Sequence, residues 1–367
     1  MPLTQLEQFN ATIAHEKHEN ILFYADFTPD LADRVKKEYG LGDEFDLGEY
    51  CGPWRKEFGM FAPKVLMLRE LAEYSKPDFT QYYEDIEIPD GATIDDIGVL
   101  LIPGSMHHFQ RRVSPLRKAE RFEQIEAFDY PNLTGFSDGH FQAEAKAAHD
   151  KGQVVLGFVG HMYENAWQIR GYEQFLMDMI ANPGWCELIL DKLTERNLIL
   201  AIAAAKAGAD FLVTGDDVAN QITMMFDIKL WRKMMKPRWA KVYAAAKEIK
   251  PDIQIWYHSD GNITEIIPEL IEIGVTILNP VQPECLDPLM VKTKYGDKLV
   301  MDGTIGTQTT MPFGSPDDVK KLVRQRIETL GADGALILSP THTFEPEVPM
   351  ENIKAFVEAA NETLVKL

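Results

Sequence analysis

The stretch that decides the fold is residues 253–283, which read IQIWYHSDGNITEIIPELIEIGVTILNPVQP. Its first six residues are almost continuously apolar, and a polar turn follows them. Residues 263–273 then place apolar side chains at spacings near 3.6, and residues 275–278 are apolar again. This pattern predicts a strand, a helix and a second strand, which is the repeating unit of parallel sheets.

The same alternation runs through the second half of the chain. We predict strands over residues 154–159, 211–213, 253–258, 275–278, 299–302 and 335–338, and helices over residues 171–182, 186–207, 230–249, 263–273, 315–329 and 350–365. Strands that are apolar along their whole length belong to parallel sheets buried on both faces. With residues 20–25 as a first strand, the βα period predicts an α/β fold, a (β/α)₈ TIM barrel.

The region before the repeating units follows a different pattern. Residues 40–150 contain proline-rich, aromatic and acidic pieces, and we predict that they form N-terminal insertions over the barrel mouth. The cluster His107-His108-Phe109 lies there, and His108 is a candidate substrate contact on a lid. The alternative is a plain surface loop. No linker rich in Pro, Gly or Ser divides the chain, so residues 1–367 are predicted to form one domain.

Composition excludes several classes of function. The 37 Lys and Arg residues against 57 Asp and Glu give a formal charge of −20, which argues against nucleic acid because a phosphate backbone needs a basic surface. Three scattered cysteines predict no disulfide framework. Residues 1–17 are polar and do not resemble a signal peptide. We therefore expect a soluble, cytoplasmic protein with no membrane partner.

Polar side chains follow the predicted strands at the points where they end. In a barrel of this kind these ends converge on one face, where the chemistry takes place. From these ends we predict catalytic roles for His161, Asp216 and Asp217. Predicted substrate contacts, besides His108, are Tyr163, Glu164, Asn279, Gln282 and Asp302.

Four of the strand-end residues are metal-ligand types from distant parts of the chain: His258, Asp260, Cys285 and His342. Zinc takes nitrogen, sulfur and carboxylate oxygen ligands, and catalytic zinc sites keep one position open. His258 and Asp260 are two residues apart, so on a regular strand they point to the same face. We predict that these four residues form a zinc site, with Cys285 as fourth ligand or near neighbour.

Each of these residues also has a simpler interpretation. Asp260 and the pair Asp216-Asp217 can cap helices or make turns, as aspartates often do. His161 can be a core histidine whose hydrogen bonds are satisfied. His258 and His342 can bind substrate directly, without a metal.

Several segments together resemble one superfamily. His258–Asn262, residues 267–274 and 277–283, Gly215–Val218 and residues 337–342 are similar to the uroporphyrinogen decarboxylase superfamily of (β/α)₈ barrels. The resemblance spans about residues 150–367. The decarboxylase branch holds its tetrapyrrole with an arginine-rich N-terminal motif, and residues 20–27 here contain no arginine. Decarboxylation therefore stays the alternative function.

The other branch of the superfamily consists of zinc-dependent, corrinoid-linked methyltransferases. Members that methylate coenzyme M carry a His-x-Cys-Gly motif and a later cysteine, and this chain has Asp260 and His342 at those positions. The resemblance implies a zinc site with harder ligands, suited to an oxygen-bearing substrate rather than a thiol. It also implies a corrinoid carried by a partner protein.

The expected reaction is methyl transfer from a small-molecule donor, an aryl methyl ether, to that corrinoid protein. Cobalt(I) attacks the methyl carbon, and the leaving phenolate is stabilised by zinc or protonated by His161 or Asp216. Tyr163 is expected to stack on the aromatic ring of the donor. A methylamine or a thioether remains an alternative donor, and a homodimer is left open.

Overall fold

The computed structural model describes residues 2–18, 21–49, 51–104 and 110–362. Its strands are β1 Leu22–Phe23, β2 Lys64–Leu66, β3 Arg69–Glu70, β4 Thr93–Ile94, β5 Leu100–Pro103, β6 Gln110–Val113, β7 Phe136–Ser137, β8 Val155–His161, β9 Phe211–Gly215, β10 Gln254–His258, β11 Ile277–Asn279, β12 Val300–Asp302 and β13 Leu336–Leu338.

The α-helices are α1 Gln5–Ile13, α2 Pro29–Tyr39, α3 Phe122–Glu126, α4 Phe141–His149, α5 Tyr163–Arg170, α6 Tyr172–Ala181, α7 Pro183–Ala207, α8 Ile228–Met234, α9 Lys236–Ile249, α10 Ile267–Ile273, α11 Pro288–Tyr295, α12 Thr310–Phe313, α13 Pro316–Leu330 and α14 Met350–Glu362. Short 3₁₀ helices span Pro53–Phe58 and Phe79–Tyr83.

Eight parallel strands form one curled sheet in the order β1-β13-β12-β11-β10-β9-β8-β2. The two edge strands meet where the N–H of Phe61 donates to the carbonyl of Phe23 over 2.7 Å. The Arg55 guanidinium also forms a bidentate ion pair with Asp26, which follows β1. The predicted (β/α)₈ barrel is confirmed, and all eight strands direct their C-terminal ends to one mouth.

Local sequence explains where the helices of the barrel begin and end. The long helix α7 starts at Pro183, whose ring suits a first helical turn, and stops at Gly208 with φ +89°. Helix α13 begins with a capping box between Ser315 and Asp318. The predicted helix over residues 230–249 is two helices instead, α8 and α9. Pro237 lies in the first turn of α9, where it fits better than inside a continuous helix.

Between β2 and β8 the described residues 67–104 and 110–154 lie outside the eight-stranded sheet, and they overlap the insertion predicted for residues 40–150, whose position over the barrel mouth stays a prediction. This segment contains a three-stranded antiparallel sheet of β4, β5 and β6. Its described part packs beside the barrel: the N–H of Leu116 donates to the carbonyl of Ile169 in α5, and Arg170 donates back to the carbonyl of Leu116. His107, His108 and Phe109 lie outside the described residues, so the predicted lid contact of His108 stays a prediction.

The described ranges contain no helix that is both long enough and apolar enough to cross a bilayer.

Candidate active site

Four neighbouring strands place one row of residues at the barrel mouth. Strand register pairs His161 with Gly215, Gly215 with His258, and His258 with Asn279. A Cβ on Gly215 would lie 2.4 Å from the carbonyl oxygen of His258 and 2.7 Å from its Cβ. A glycine at this position therefore lets β9 and β10 pack closely, and the two histidines come together over it.

These histidines line a cavity of about 320 Å³. Its other walls are aromatic, polar and small apolar residues from strand ends and the loop after β13: Tyr24, Asp26, Phe158, Gly160, Val213, Thr214, Trp256, Asn279, Pro340, Thr341, His342 and Thr343. The Trp256 ring stacks on the His258 ring with centroids 5.8 Å apart. A concave cleft with apolar walls and a few polar groups is the usual form of a small-molecule site.

A candidate metal site lies beside this cavity. Asp217, His258 and Asp260 bring ligand atoms within 4.8 Å of one another, and Nε2 of His258 is 3.6 Å from Oδ1 of Asp217. Burial raises the pKa of Asp260, and the nearby Asp217 adds to this, although His258 opposes it. In the described part of the chain, no hydrogen bond reaches the Asp260 carboxylate. A divalent cation would place positive charge beside this carboxylate. Carboxylate oxygens and an imidazole nitrogen are ligands that zinc takes, so the donor set fits zinc.

The orientation of His258 is set by a hydrogen-bonded chain behind it. Its Nδ1 lies 2.7 Å from Oδ1 of Asn279, which leaves Nε2 toward Asp217. Asn279 donates to the Tyr24 hydroxyl over 3.4 Å, and Tyr24 donates to Asp302 over 2.9 Å. Such a partner on the second nitrogen is what holds a metal-binding histidine in one tautomer.

Asp302 anchors this chain at the centre of the barrel. Its buried carboxylate also accepts hydrogen bonds from Trp256 Nε1 and the Ser339 hydroxyl. Burial raises the pKa of Asp302, against the hydrogen bonds that lower it. Asp302 does not line the 320 Å³ cavity, so its contacts are those of a positioning residue rather than of the predicted substrate contact.

His161 and Glu164 form a second polar pair at the mouth, next to His258. Nδ1 of His161 lies 2.5 Å from Oε2 of Glu164. Burial alone would lower the pKa of His161, but Glu164, Asp216 and Asp217 raise it to about 9. Burial would raise the pKa of Glu164, and His161 lowers it overall. The pair is therefore an imidazolium and a carboxylate at neutral pH, and His161 carries a proton into the cavity.

Asp216 is a predicted proton donor, but in the structure its carboxylate accepts hydrogen bonds from groups around it. It is fully buried and accepts the backbone N–H groups of Met162 and Tyr163 over 2.7 and 2.6 Å. Its other oxygen accepts Trp239 Nε1 over 2.7 Å. Burial raises the pKa of Asp216 to about 7, while His161 and these donors pull it down. These contacts fix the start of α5, and with it His161 and Glu164.

The structure separates some of the residues that the sequence grouped. Cys285 and His342 are outside the cluster of Asp217, His258 and Asp260, although both lie close enough to interact electrostatically with Asp260. His342 lines the mouth cavity and is half exposed. The loops that follow the strands differ in length. Residues on the same face of the barrel therefore need not reach the same metal ion. Asp217, predicted as catalytic, lies in the candidate cluster instead of the predicted ligands Cys285 and His342.

Two of the predicted substrate contacts, Tyr163 and Gln282, are not among the residues that line the cavity. Tyr163 is fully buried, with its ring packed against Phe175 and Phe226. Position 163 belongs to the first turn of α5, which points its side chain into the helix layer. Gln282 is buried and accepts the N–H of Gly261 over 3.2 Å. Position 261 needs a glycine, because its φ is +86° and a Cβ there would lie 2.6 Å from the carbonyl oxygen of Asn220.

Of the residues that line the cavity, the sequence predicts His161, His258, Asn279 and His342 as site residues; those it misses include Tyr24, Asp26, Phe158 and Trp256. Three of them are aromatic and look like ordinary core residues in a strand pattern. Asp26 follows a strand of only two residues, so its position at a strand end was hard to see. The signal available was the run Tyr24-Ala-Asp26, in which period two places both polar side chains on one face.

Fold and mouth together define a (β/α)₈ enzyme with a small-molecule cleft, and sequence comparison places it in a family. The model of the family described as uroporphyrinogen decarboxylase (URO-D) matches residues 108–363. The chain belongs to this family, which confirms the superfamily resemblance seen in its motifs.

Individual relatives fall on both branches of the superfamily. Methylcobamide:CoM methyltransferase MtaA from Methanosarcina barkeri is 28% identical over 190 residues, 52% of either chain. The chain thus spans about half the length of that relative. Uroporphyrinogen decarboxylase from Nostoc punctiforme is 23% identical over 293 residues, 78% of either chain.

The fold is also that of a solved structure, a methyltransferase from Methanosarcina mazei. The two structures superpose with a TM-score of 0.67 at 18% identity, over 98% of this chain and 99% of the other. This likeness extends the shared architecture over the N-terminal region as well, where the motifs alone resemble the superfamily only loosely.

Proposed function

We propose that this chain is a methyltransferase that moves a methyl group from a small-molecule donor, an aryl methyl ether, to the corrinoid of a partner protein. The observation that supports it best is the 2.5 Å contact between His161 and Glu164, which favours a protonated imidazole in the wall of a cavity that also has aromatic walls. The similarity to a methylcobamide:CoM methyltransferase supports the same reaction class. Phe158, Trp256 and Tyr24 give an aryl ring apolar surface to lie on.

The chain's own residues supply the proton that the reaction needs. When the methyl group leaves the donor for the partner's corrinoid, the bonding electron pair stays on the aryl oxygen. His161 donates its proton to that oxygen, and Glu164 stabilises the imidazolium before the transfer. A zinc ion held by Asp217, His258 and Asp260 would polarise the donor oxygen as a Lewis acid. Asn279 keeps Nε2 of His258 facing that position.

The lining of the cavity disfavours the alternative, decarboxylation of an acidic tetrapyrrole. Several substrate carboxylates would need basic partners, and the described lining residues include neither Lys nor Arg. Arg55, the nearest guanidinium to Tyr24, is already paired with Asp26. A neutral donor fits this charge balance better than an anionic one.

The test is a spectral assay with cobalamin reduced to cobalt(I) and a set of methoxybenzenes. We expect loss of the cobalt(I) spectrum and release of the matching phenol. His161→Ala should reduce the rate by about 10²–10⁴-fold, the range for a general acid. His140→Asn, which changes a half-buried histidine outside the mouth, is the matched control. Carbon dioxide release from uroporphyrinogen, with no demethylation of any donor, would establish the decarboxylase instead.

A further inference from the structure

A second cavity lies outside the barrel, between the inserted segment and α7. It has a volume of about 210 Å³ and shares no lining residue with the mouth cavity. Its walls are mostly apolar and include Tyr74, Phe79, Ile94, Leu133 and Phe136. The reaction proposed above uses none of these residues.

One charged group from the barrel reaches into this cavity, the guanidinium of Arg196 in α7. Its NH1 donates weakly, over 3.4 Å, to the carbonyl of Val159 and to Oδ1 of Asn197. Its Nε is buried with no acceptor among the described residues. Among the described residues, no carboxylate lies within 4 Å of the Arg196 guanidinium, the longest distance of an ion pair. Burial lowers the pKa of Arg196, and Asp96 opposes this shift.

The acidic residues around the cavity do not neutralise this arginine. Asp78 accepts the N–H and the hydroxyl of Thr80. Asp95 accepts the N–H groups of Ile97 and Val99. Asp96 raises the pKa of Arg196 through space, at a distance too long for an ion pair. A guanidinium offers five donors in a planar fork that matches a carboxylate, and most of these donors are unused here.

We propose that this cavity is a binding site for a small carboxylate with an apolar body. The carboxylate pairs with Arg196, and the apolar body lies among Tyr74, Phe79 and Leu133. An unpaired buried charge is costly, so a ligand that pairs with it gains from relieving that cost. The walls belong to two parts of the chain, and a bound ligand would therefore tie the inserted segment to α7.

Isothermal titration calorimetry with benzoate and its neutral analogue benzamide tests this site. We expect benzoate to bind at least tenfold more tightly than benzamide. Arg196→Met should remove this preference, whereas Lys192→Met, one helical turn away and outside the cavity lining, should keep it. Leu133→Trp fills the cavity without touching the charge, and it should block both ligands.

Other outcomes overturn the proposal. Equal affinity for benzoate and benzamide would show that Arg196 does not recognise the carboxylate. Benzoate binding that survives both Arg196→Met and Leu133→Trp would place the ligand elsewhere. No heat from benzoate at millimolar concentration would also refute the site as described. None of these results depends on methyl transfer, so the proposed function stands or falls separately.

Discussion

The rings of His161 and His258 meet at the barrel mouth with centroids 6.2 Å apart and planes at 83°. One imidazole is held as a cation by Glu164, and the other is oriented by Asn279 beside two aspartates. A substrate atom in the cavity beside both rings would have a proton donor on one side and the candidate metal site on the other. The same atom would also contact the aromatic wall formed by Trp256.

The candidate metal site predicts which variants lose metal. Purified protein loaded with zinc should hold about one equivalent, and Asp217→Asn or His258→Ala should lower that content together with the transfer rate. Cys285→Ser should leave the metal content unchanged, because Cys285 lies outside the cluster. Elemental analysis after dialysis measures all three variants. A strong loss in Cys285→Ser alone would restore the thiolate as a ligand.

The hydrogen bond between Asn279 and His258 predicts a variant whose metal affinity is weaker although all the metal ligands are kept. In Asn279→Ala the ring of His258 loses the acceptor at Nδ1, so its Nε2 is no longer fixed toward Asp217. We expect metal binding to weaken by about 10–100-fold, the usual cost of removing such a partner. Competition with a chromophoric chelator gives this affinity. Asn262→Ala, whose amide bonds a backbone carbonyl outside the cavity, is the control.

The pKa of His161 predicts a specific pH dependence in the metal-free protein. Its imidazolium should persist up to about pH 9, and its stabilising contribution is present below the ordinary histidine pKa and lost as pH rises through 9. Glu164→Gln should shift this midpoint downward, because it removes the main charge that stabilises the cation. Imidazole NMR resonances follow the titration residue by residue. A midpoint near 6.5 in the unsubstituted protein would contradict the ion pair.

Gly215 predicts a cost in stability. A methyl group there would meet the backbone of His258 at 2.4 Å, so Gly215→Ala should lower the free energy of unfolding by about 1–3 kcal/mol. A Cβ at Gly184 would meet no atom within 4 Å, so Gly184→Ala is the control substitution. Urea denaturation measures both. Equal stability of the two variants would mean that β9 and β10 can separate at no cost.

Sequence patterns predicted most of the barrel because buried parallel strands have a clear signature. The strands near residues 154, 211, 253, 275, 299 and 335 are all present, as is the first strand. The strand β2 was missed, since Lys64-Val-Leu66 is only three residues long and begins with a lysine. The break between α8 and α9 was missed because apolar spacing continues through Pro237.

The candidate site was harder to predict than the fold. Residues at the C-terminal ends of the barrel strands, such as His161 and His258, were identified because parallel strands finish on one face. Which of them share one ion depends on loop geometry, and the sequence could not separate Asp217 from His342. Nor could it assign Tyr163 to the helix layer, because one residue along a helix turns a side chain by about 100°.

The ion pair between Arg55 and Asp26 couples the cavity to the closure of the barrel. Asp26 is part of the cavity wall, and Arg55 also donates to the carbonyl of Phe61, whose own N–H bridges to β1. Separating Phe61 from β1 would therefore disrupt one wall of the cavity. A methyl donor bound against Asp26 would favour the closed barrel. Amide exchange at Phe61 should then slow as the cleft fills, so that a backbone proton on the side of the barrel reports occupancy at its mouth.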